Sequence, residues 1–294
     1  MRAASEKLLL RLEWRVLRRL DGRIQGAHRT AHRGTGIDFA GLRSYLEGDD
    51  ARHIDWNVTA RLNEPHLRVF HEDRELTAWL VLDRSASMTA GRPGRGKHDV
   101  LAELALVLAR LFGRGGNRVG ALFFDTGRPR VVPPGAGRRH VLRIGAELER
   151  TAESHRGGTT DLAAMLDAVA NIARRRSLVV VVSDFIGEGD WERALQRLAR
   201  RHEVVALRVV DTADDVLPEA GLIVVEDAET GEQLLVDSGD PLFRLRFRSA
   251  VDGREARLET GMRQAGVPVH RVDTDRDLGE TLVEVVARTR SRPA

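Results

Sequence analysis

The chain has 294 residues, 42% of them apolar and 31% charged, which is the composition of an ordinary globular protein large enough to bury a sizeable core. Its 47 Lys and Arg residues nearly balance its 44 Asp and Glu residues, and a formal net charge of +3 gives no global footprint for nucleic-acid binding. The lack of cysteine excludes disulfides, thiolate metal sites, iron–sulfur clusters and a cysteine nucleophile.

Residues 1–30 are predicted to contain a basic amphipathic helix. Between Ser5 and Gln25, leucine, valine and isoleucine recur every three or four residues, and arginines are frequent between them. Charges interrupt each apolar stretch, so we expect neither a membrane-spanning helix nor a secretory signal, and we expect a cytoplasmic protein. The apolar stripe favours packing or a partner helix, and docking on an anionic membrane surface is the alternative.

Residues 31–75 are predicted to form an N-terminal cap. The segment is rich in Asp, Gly and Arg, which is typical of a loop-rich region held together by aspartate–arginine pairs. The pattern points to no second ligand site, so we assign the cap no catalytic role.

From Leu76 onward, short apolar runs alternate with helical stretches, which predicts an α/β domain over residues 76–290. The runs that suit strands buried on both faces of a parallel sheet are 76–82, 178–182 and 204–210. The stretches with helical apolar spacing are 99–112, 139–150, 161–174 and 191–201. The resulting order, β-α-β-β-α-α-β-α-β, predicts a doubly wound, mostly parallel sheet.

The C-terminal third is predicted to carry a β-hairpin insertion at about residues 220–238. Two short apolar runs, Leu222–Val225 and Gln233–Val236, flank a polar turn sequence. A helix over Pro241–Ala265, a strand over Val267–Val272 and a helix over Leu278–Arg288 are predicted to follow.

Polar side chains stand where the predicted strands end. The candidate metal ligands are Asp83, Ser85 and Ser87 in a D-x-S-x-S pattern, Thr160 (or Thr159) before a helix, and Asp184 after a strand. Ligands of open α/β sheets gather beyond the carboxyl ends of the strands, so we expect these groups to meet there. Carboxylate and hydroxyl oxygens are hard ligands that suit Mg²⁺ or Mn²⁺, and no histidine or cysteine favours zinc.

This set of residues resembles the metal-ion-dependent adhesion site of von Willebrand factor A domains. The resemblance implies that Asp83, Ser85, Ser87, Thr160 and Asp184 hold a divalent cation and that an acidic residue of a protein partner completes its shell. The hydroxyls are then direct ligands, and the two aspartates balance charge, often through water. Such a domain is a protein-interaction module and not a catalyst.

The upstream region resembles a second signature. Segments Gly34–Tyr45, Glu47–Trp56 and Thr59–Arg61 are similar to the sequence that precedes the A domain in the bacterial family called domain of unknown function 58. The resemblance implies association with a MoxR-type AAA+ ATPase or its client, in a chaperone-like or assembly role. Many members of that family have N-terminal transmembrane helices, where this chain has the basic amphipathic segment.

Two alternatives to an interaction module remain open from the sequence. The same oxygen ligands could serve a metal-dependent phosphoesterase, although no evident general base accompanies them, and the domain could be a scaffold without an ion. The stretch Gly91–His98 is one residue short of a phosphate-binding loop and has His98 where a magnesium-binding hydroxyl belongs. We therefore predict a flexible loop there and no ATP binding.

Overall fold

The structure is a computed structural model that describes residues 33–34, 38–46, 49–71, 77–89, 95–114, 117–125, 129–150, 160–187 and 189–289. The basic helix predicted within residues 1–30 lies outside these ranges. The described residues fall into two compact units, one containing 33–71 and the other 77–289.

The smaller unit is built on an antiparallel sheet in the order β1-β3-β2. Its elements are β1 Arg33–Gly34, β2 Asp38–Ser44, a 3₁₀ turn Ala51–His53, α1 Trp56–Leu62 and β3 His66–His71. The sequence predicted a loop-rich cap and missed this sheet, in which β2 and β3 pair through their backbones. A bulge between Phe39 and Gly41 breaks the strand period, and this hides β2 from pattern reading.

Aspartates in this unit cap helical turns instead of tying loops together. Asp55 Oδ1 accepts hydrogen bonds from the backbone N–H groups of Asn57 (3.0 Å) and Val58 (3.2 Å) and so caps α1. The aspartate–arginine pair seen here, Asp50 with Arg52, is exposed and joins neighbours in sequence. Such a pair contributes little to stability.

The larger unit contains a six-stranded sheet in the order β11-β8-β7-β4-β5-β6. Its strands, with the separate hairpin strands β9 and β10, are β4 Thr77–Asp83, β5 Arg118–Phe124, β6 Arg130–Gly135, β7 Leu178–Ser183, β8 Glu203–Val210, β9 Leu222–Glu226, β10 Gln233–Asp237 and β11 Val269–Asp273. All neighbouring sheet strands are parallel except β6, which runs antiparallel to β5. The predicted doubly wound, mostly parallel α/β fold is confirmed.

Helices cover the faces of this sheet. They are α2 Ala86–Thr89, α3 Lys97–Arg114, α4 Arg138–Glu149, α5 Leu162–Ile172, α6 Trp191–Arg201, α7 Thr212–Asp215, α8 Pro241–Ala265 and α9 Leu278–Thr289. The predicted bounds agree to within a few residues, because capping signals mark the ends: Asp240 caps α8, and Gly266 ends it in the left-handed region with φ 67°. None of the described helices is long and apolar enough to cross a bilayer.

The central strands β4 and β7 place the candidate site. Apart from the half-buried Thr77, every residue of both strands is buried, as expected for apolar runs covered on two faces. From β4 the chain winds toward β5 on one side, and from β7 it winds toward β8 on the other. The connections therefore diverge between β4 and β7, and this divergence opens a crevice at their carboxyl ends.

Candidate metal centre

Asp83, the last residue of β4, is a buried carboxylate whose hydrogen-bond partners are neutral. Its Oδ1 accepts from the backbone N–H of Ser85 (2.9 Å), and its Oδ2 accepts from the hydroxyl of Ser183 (2.6 Å) at the end of β7. The side chain is 0% exposed, and the described residues give it no basic partner. Burial, together with the nearby charge of Asp184, raises the pKa of Asp83 to about 7. A cation at this carboxylate would relieve both effects.

Ser85 and Ser87 present two hydroxyls beside this carboxylate. Their Oγ atoms lie 2.9 Å apart, and both side chains are buried. Mg²⁺ holds its ligands near-octahedrally at about 2.0–2.1 Å, which puts neighbouring ligand oxygens about 2.9 Å apart. The spacing of the two hydroxyls therefore fits adjacent positions around such an ion. The turn itself is held to the sheet by the Arg84 N–H, which donates to the Phe124 carbonyl of β5 (2.7 Å).

Asp184, which follows β7, has a different environment from Asp83. The ammonium of Lys97 donates to Asp184 Oδ2 (2.7 Å) and to Asp214 Oδ2 (2.9 Å), and the Lys97 side chain is only 2% exposed. Burial alone would lower the pKa of Lys97, but the two carboxylates outweigh it and raise that pKa above its usual value. Lys97 thus neutralises much of the charge of Asp184, whereas the described residues give Asp83 no such basic partner.

The turn after β7 fixes the direction of Asp184. Its Oδ1 accepts from the backbone N–H of Ile186 (2.9 Å), and the N–H of Phe185 donates to the Ser183 hydroxyl (2.8 Å). Phe185 has φ 56°, a conformation that costs a non-glycine residue about 1–2 kcal/mol. Its buried ring packs against Trp191, with ring centroids 5.9 Å apart, and this packing helps to hold the unfavourable turn in place.

Thr160, which precedes α5, is 0% exposed. A Cβ added to Gly187 would come within 2.7 Å of the Thr160 carbonyl oxygen, so this loop packs directly on the turn that follows Asp184. The backbone N–H and the hydroxyl of Thr160 both donate to the carboxylate of Glu229, the hydroxyl to Oε1 at 2.6 Å. Glu229 belongs to the turn of the β9–β10 hairpin.

The structure brings the predicted residues to one edge of the sheet. Asp83, Ser85 and Ser87 follow β4, the charge of Asp184 acts on Asp83, and Thr160 packs beside the turn after β7. The alternative ligand Thr159 lies outside the described residues. In the described part of the chain no group of three or more His, Cys, Asp or Glu side chains could hold a metal, so an ion here would depend on the hydroxyls. The ligand roles of these residues stay predictions.

Sequence reasoning missed several residues of the site: Lys97, Ser183, Asp214 and Glu229. Lys97 and His98 are the first residues of α3, so the prediction of a flexible loop over Gly91–His98 is wrong for these two. Asp214 follows β8, the neighbour of β7, and topology alone could have pointed to it.

The charges around the crevice favour a cation. Lys97 donates to Asp184 and Asp214, and among the described contacts no basic side chain binds the carboxylates of Asp83 and Glu229. Arg208 donates to the Asp184 carbonyl oxygen (3.4 Å), but its guanidinium is bound to Glu255 on α8. An excess of buried negative charge of this kind raises the local affinity for a divalent ion.

Comparison with known proteins finds relatives in sequence and distant likenesses among solved structures. The chain is 39% identical over 282 residues to Uncharacterized protein Mb1516 of Mycobacterium bovis, covering 95% of this chain and 88% of the relative. An aerotolerance-related membrane protein from Bacteroides fragilis is 16% identical, with coverage of 72% and 99% and a TM-score of 0.46. The SpRpn10 VWA domain is 14% identical, with coverage of 71% and 94% and a TM-score of 0.39.

The family is settled by sequence. The model for "Protein of unknown function DUF58" matches residues 41–257, a stretch that includes part of the cap and all the candidate ligands. The resemblance seen in the segments from Gly34 to Arg61 is thereby confirmed at the level of the family. This chain belongs to the DUF58 family.

Proposed function

We propose that this chain is a protein-interaction module that uses a divalent cation, Mg²⁺ or Mn²⁺, to bind an acidic side chain of a partner. The observation that carries the proposal is the buried Asp83 carboxylate, which has only neutral hydrogen-bond donors and lies beside two hydroxyls spaced like adjacent ligands. An ion bound there supplies an electrophilic centre with open positions for a carboxylate.

Each residue has a distinct task in this proposal. Ser85, Ser87 and Thr160 supply neutral hydroxyl ligands, and Asp83 supplies the main negative charge. Asp184, already paired with Lys97, acts at longer range and helps to orient water. Because Lys97 cancels part of the negative charge, the loaded site keeps an attraction for an incoming carboxylate.

The partner that we propose is a MoxR-type AAA+ ATPase or a client of one, in a chaperone-like or assembly role. The support for this partner is the family resemblance of the cap and the A-type domain. An ATP-driven partner of this kind implies a cytoplasmic location, which is part of the proposal.

The proposal assigns no catalysis to the site. A metal-dependent phosphoesterase would need a general base near the ion. His66 and His140 hydrogen-bond to the backbone carbonyls of Glu64 and Val119, away from the candidate ligands, and His98, on the first turn of α3, has its pKa lowered by burial and by the charge of Arg84. An ion-free scaffold would hold Asp83 partly protonated near neutral pH, because burial and the charge of Asp184 raise its pKa to about 7.

The first experiment measures the metal response of the folded protein. We expect Mg²⁺ and Mn²⁺ to raise the melting temperature of the wild type, and we expect Ser87→Ala to reduce that rise because it removes one hydroxyl ligand. Ser177→Ala is the matched control, since Ser177 is also buried but stands at the opposite end of β7. An equal response of Ser87→Ala and wild type would contradict the metal site.

A second experiment tests the partner. Affinity capture from a lysate of the encoding organism, with Mg²⁺ or with EDTA, should recover a MoxR-type ATPase with wild type and with Ser177→Ala in Mg²⁺. Ser87→Ala and the EDTA samples should lose it. Recovery of that ATPase in all samples would show that the contact is elsewhere on the chain.

A further inference from the structure

The β9–β10 hairpin presents one carboxylate to Thr160, one of the candidate metal ligands. Its strands pair in register from Leu222 with Asp237 to Glu226 with Gln233, and the turn between them contains Glu229. Asp227 Oδ1 accepts from the N–H groups of Glu229 and Thr230, both at 2.8 Å, and Gly231 closes the turn with φ 72°. The backbone of Glu229 is therefore held in one conformation.

The carboxylate of Glu229 accepts hydrogen bonds from Thr160, a buried candidate ligand. Thr160 donates to it twice, through the backbone N–H and through the hydroxyl at 2.6 Å, across 69 residues of sequence. Thr160 is 0% exposed, whereas the rest of the turn is open to solvent. Contact with a fully buried threonine takes the Glu229 carboxylate partly out of water. This desolvation costs free energy that a carboxylate on the open surface does not lose.

The Glu229 carboxylate is hydrogen-bonded to Thr160, so it lies next to the place where an ion bound by that hydroxyl would sit. An oxygen that occupies an adjacent position to the Thr160 hydroxyl on an octahedral ion lies about 2.9 Å from it. Glu229 Oε1 lies 2.6 Å away, and it belongs to the chemical class that completes the shell in the proposed function. We propose that Glu229 occupies in cis the place that a partner's carboxylate takes in trans, so that the hairpin is a built-in plug of the metal centre. This inference rests on the proposed function and adds its regulation.

The hairpin is built to be displaced. Of its strand residues only Val236 is buried, at 6% exposure, while Leu222, Val224, Leu234 and Leu235 are each more than 60% exposed. Little apolar burial therefore holds the arm down, and the tip contact of Glu229 carries much of its attachment. The base is firm, because the buried Ser238 bonds to Gly221 through its N–H and its hydroxyl, both at 2.8 Å. Because the base of the hairpin is fixed at Ser238 and its tip is held by polar contacts, the hairpin can move away from Thr160 without unfolding.

The test uses the full chain, Mn²⁺ as the probe, and the pair Glu229→Gln and Glu232→Gln. Both variants remove one negative charge from the same turn, but Glu232 is exposed. Electron paramagnetic resonance of free Mn²⁺ gives the dissociation constant, and the relaxation rate of water protons reports how many waters the bound ion holds. We expect Glu229→Gln to weaken Mn²⁺ binding about tenfold or more and to raise the relaxation per bound ion, because water takes the vacated place. Glu232→Gln should match the wild type in both.

Hydrogen exchange of the hairpin amides provides a readout that does not depend on affinity. Mn²⁺ should slow exchange over residues 222–237 in the wild type and in Glu232→Gln, and it should leave Glu229→Gln unchanged. If Glu229→Gln equals the wild type in affinity, relaxation and exchange while Mn²⁺ binds, the plug is refuted and the metal site stands. If the wild type binds no Mn²⁺, the proposed function itself fails, and the plug fails with it.

Discussion

The carboxyl ends of β4 and β7 lie side by side in the sheet, but the aspartates that stand there have opposite surroundings. At the end of β4, Asp83 is buried among neutral donors, and its pKa is raised to about 7. At the end of β7, Asp184 lies 2.7 Å from the Lys97 ammonium. One carboxylate thus has a buried basic partner, whereas the described residues give the other only neutral hydrogen-bond donors.

This difference is compatible with both a stable fold and the proposed binding of a divalent ion. If both aspartates had basic partners, a divalent ion would have to displace those partners. If neither aspartate had a basic partner, repulsion between the two buried charges would oppose folding. One internal ammonium limits the repulsion and keeps a single strong anionic ligand. Each prediction below alters one of the two strand ends.

The largest effect is expected from Lys97→Met. This change leaves Asp184 and Asp214 without their buried ammonium, and breaking a buried pair from one side costs about 3–5 kcal/mol of the free energy of unfolding. Chemical denaturation in EDTA measures the loss. Mg²⁺ should restore part of it, because the ion supplies the missing positive charge.

A surface pair supplies the control for that loss. Arg197 lies 2.8 Å from Asp167, but both side chains are about half exposed. Arg197→Met should therefore cost less than about 1 kcal/mol and show no response to Mg²⁺ beyond that of the wild type. Similar losses for the two variants would mean that the Lys97 pair behaves as a solvated one and that the contrast between the strand ends is absent in solution.

The sequence predicted the two strand ends and their aspartates, but it did not predict the different surroundings of the two aspartates. The apolar runs of β4, β7 and β8 and the polar residues at their ends predict a parallel sheet with a ligand site, because runs buried on two faces and strand-end motifs are local signals. The Lys97 pair joins residues 87 apart and depends on how α3 begins relative to β7. No local pattern encodes that arrangement.

Two other features were beyond pattern reading for different reasons. The hairpin itself was predicted from its flanking apolar runs, but the direction of its tip, and so the contact of Glu229 with Thr160, is set by the packing at Ser238 and Gly221. The cap sheet was missed because a bulge interrupts the alternation in β2. Local chemistry predicts elements well, whereas the meeting of distant side chains follows from tertiary packing.

A smaller effect is expected from Gly187→Ala, which disturbs the β7 end without changing charge. The new methyl group would lie 2.7 Å from the Thr160 carbonyl oxygen, so the Thr160 loop must shift. Overpacking of this kind costs about 1–3 kcal/mol, and it should also weaken Mn²⁺ binding because it displaces a hydroxyl ligand. Calorimetric titration and urea denaturation measure the two losses.

Gly253→Ala is the control for the added methyl group. Gly253 lies within α8, and no atom stands within 4 Å of the new Cβ, so alanine should stabilise the helix by about 0.5–1 kcal/mol. Its Mn²⁺ affinity should be that of the wild type. Wild-type affinity in Gly187→Ala as well would show that Thr160 is not held against the turn after Asp184.

The last prediction concerns Asp83, at the end of β4, and the dependence of the free energy of unfolding on pH. Because the pKa of Asp83 is raised from 3.8 to about 7 on folding, the native protein keeps a proton that the unfolded chain has already lost between these values. In EDTA this group therefore lowers the free energy of unfolding as pH rises from about 4 to 7, by at most about 1.4 kcal/mol per pH unit. Asp83→Asn should remove that slope. Urea denaturation at pH 5, 6 and 7 measures it, and an unchanged slope in Asp83→Asn would show that Asp83 is compensated in solution, as Asp184 is.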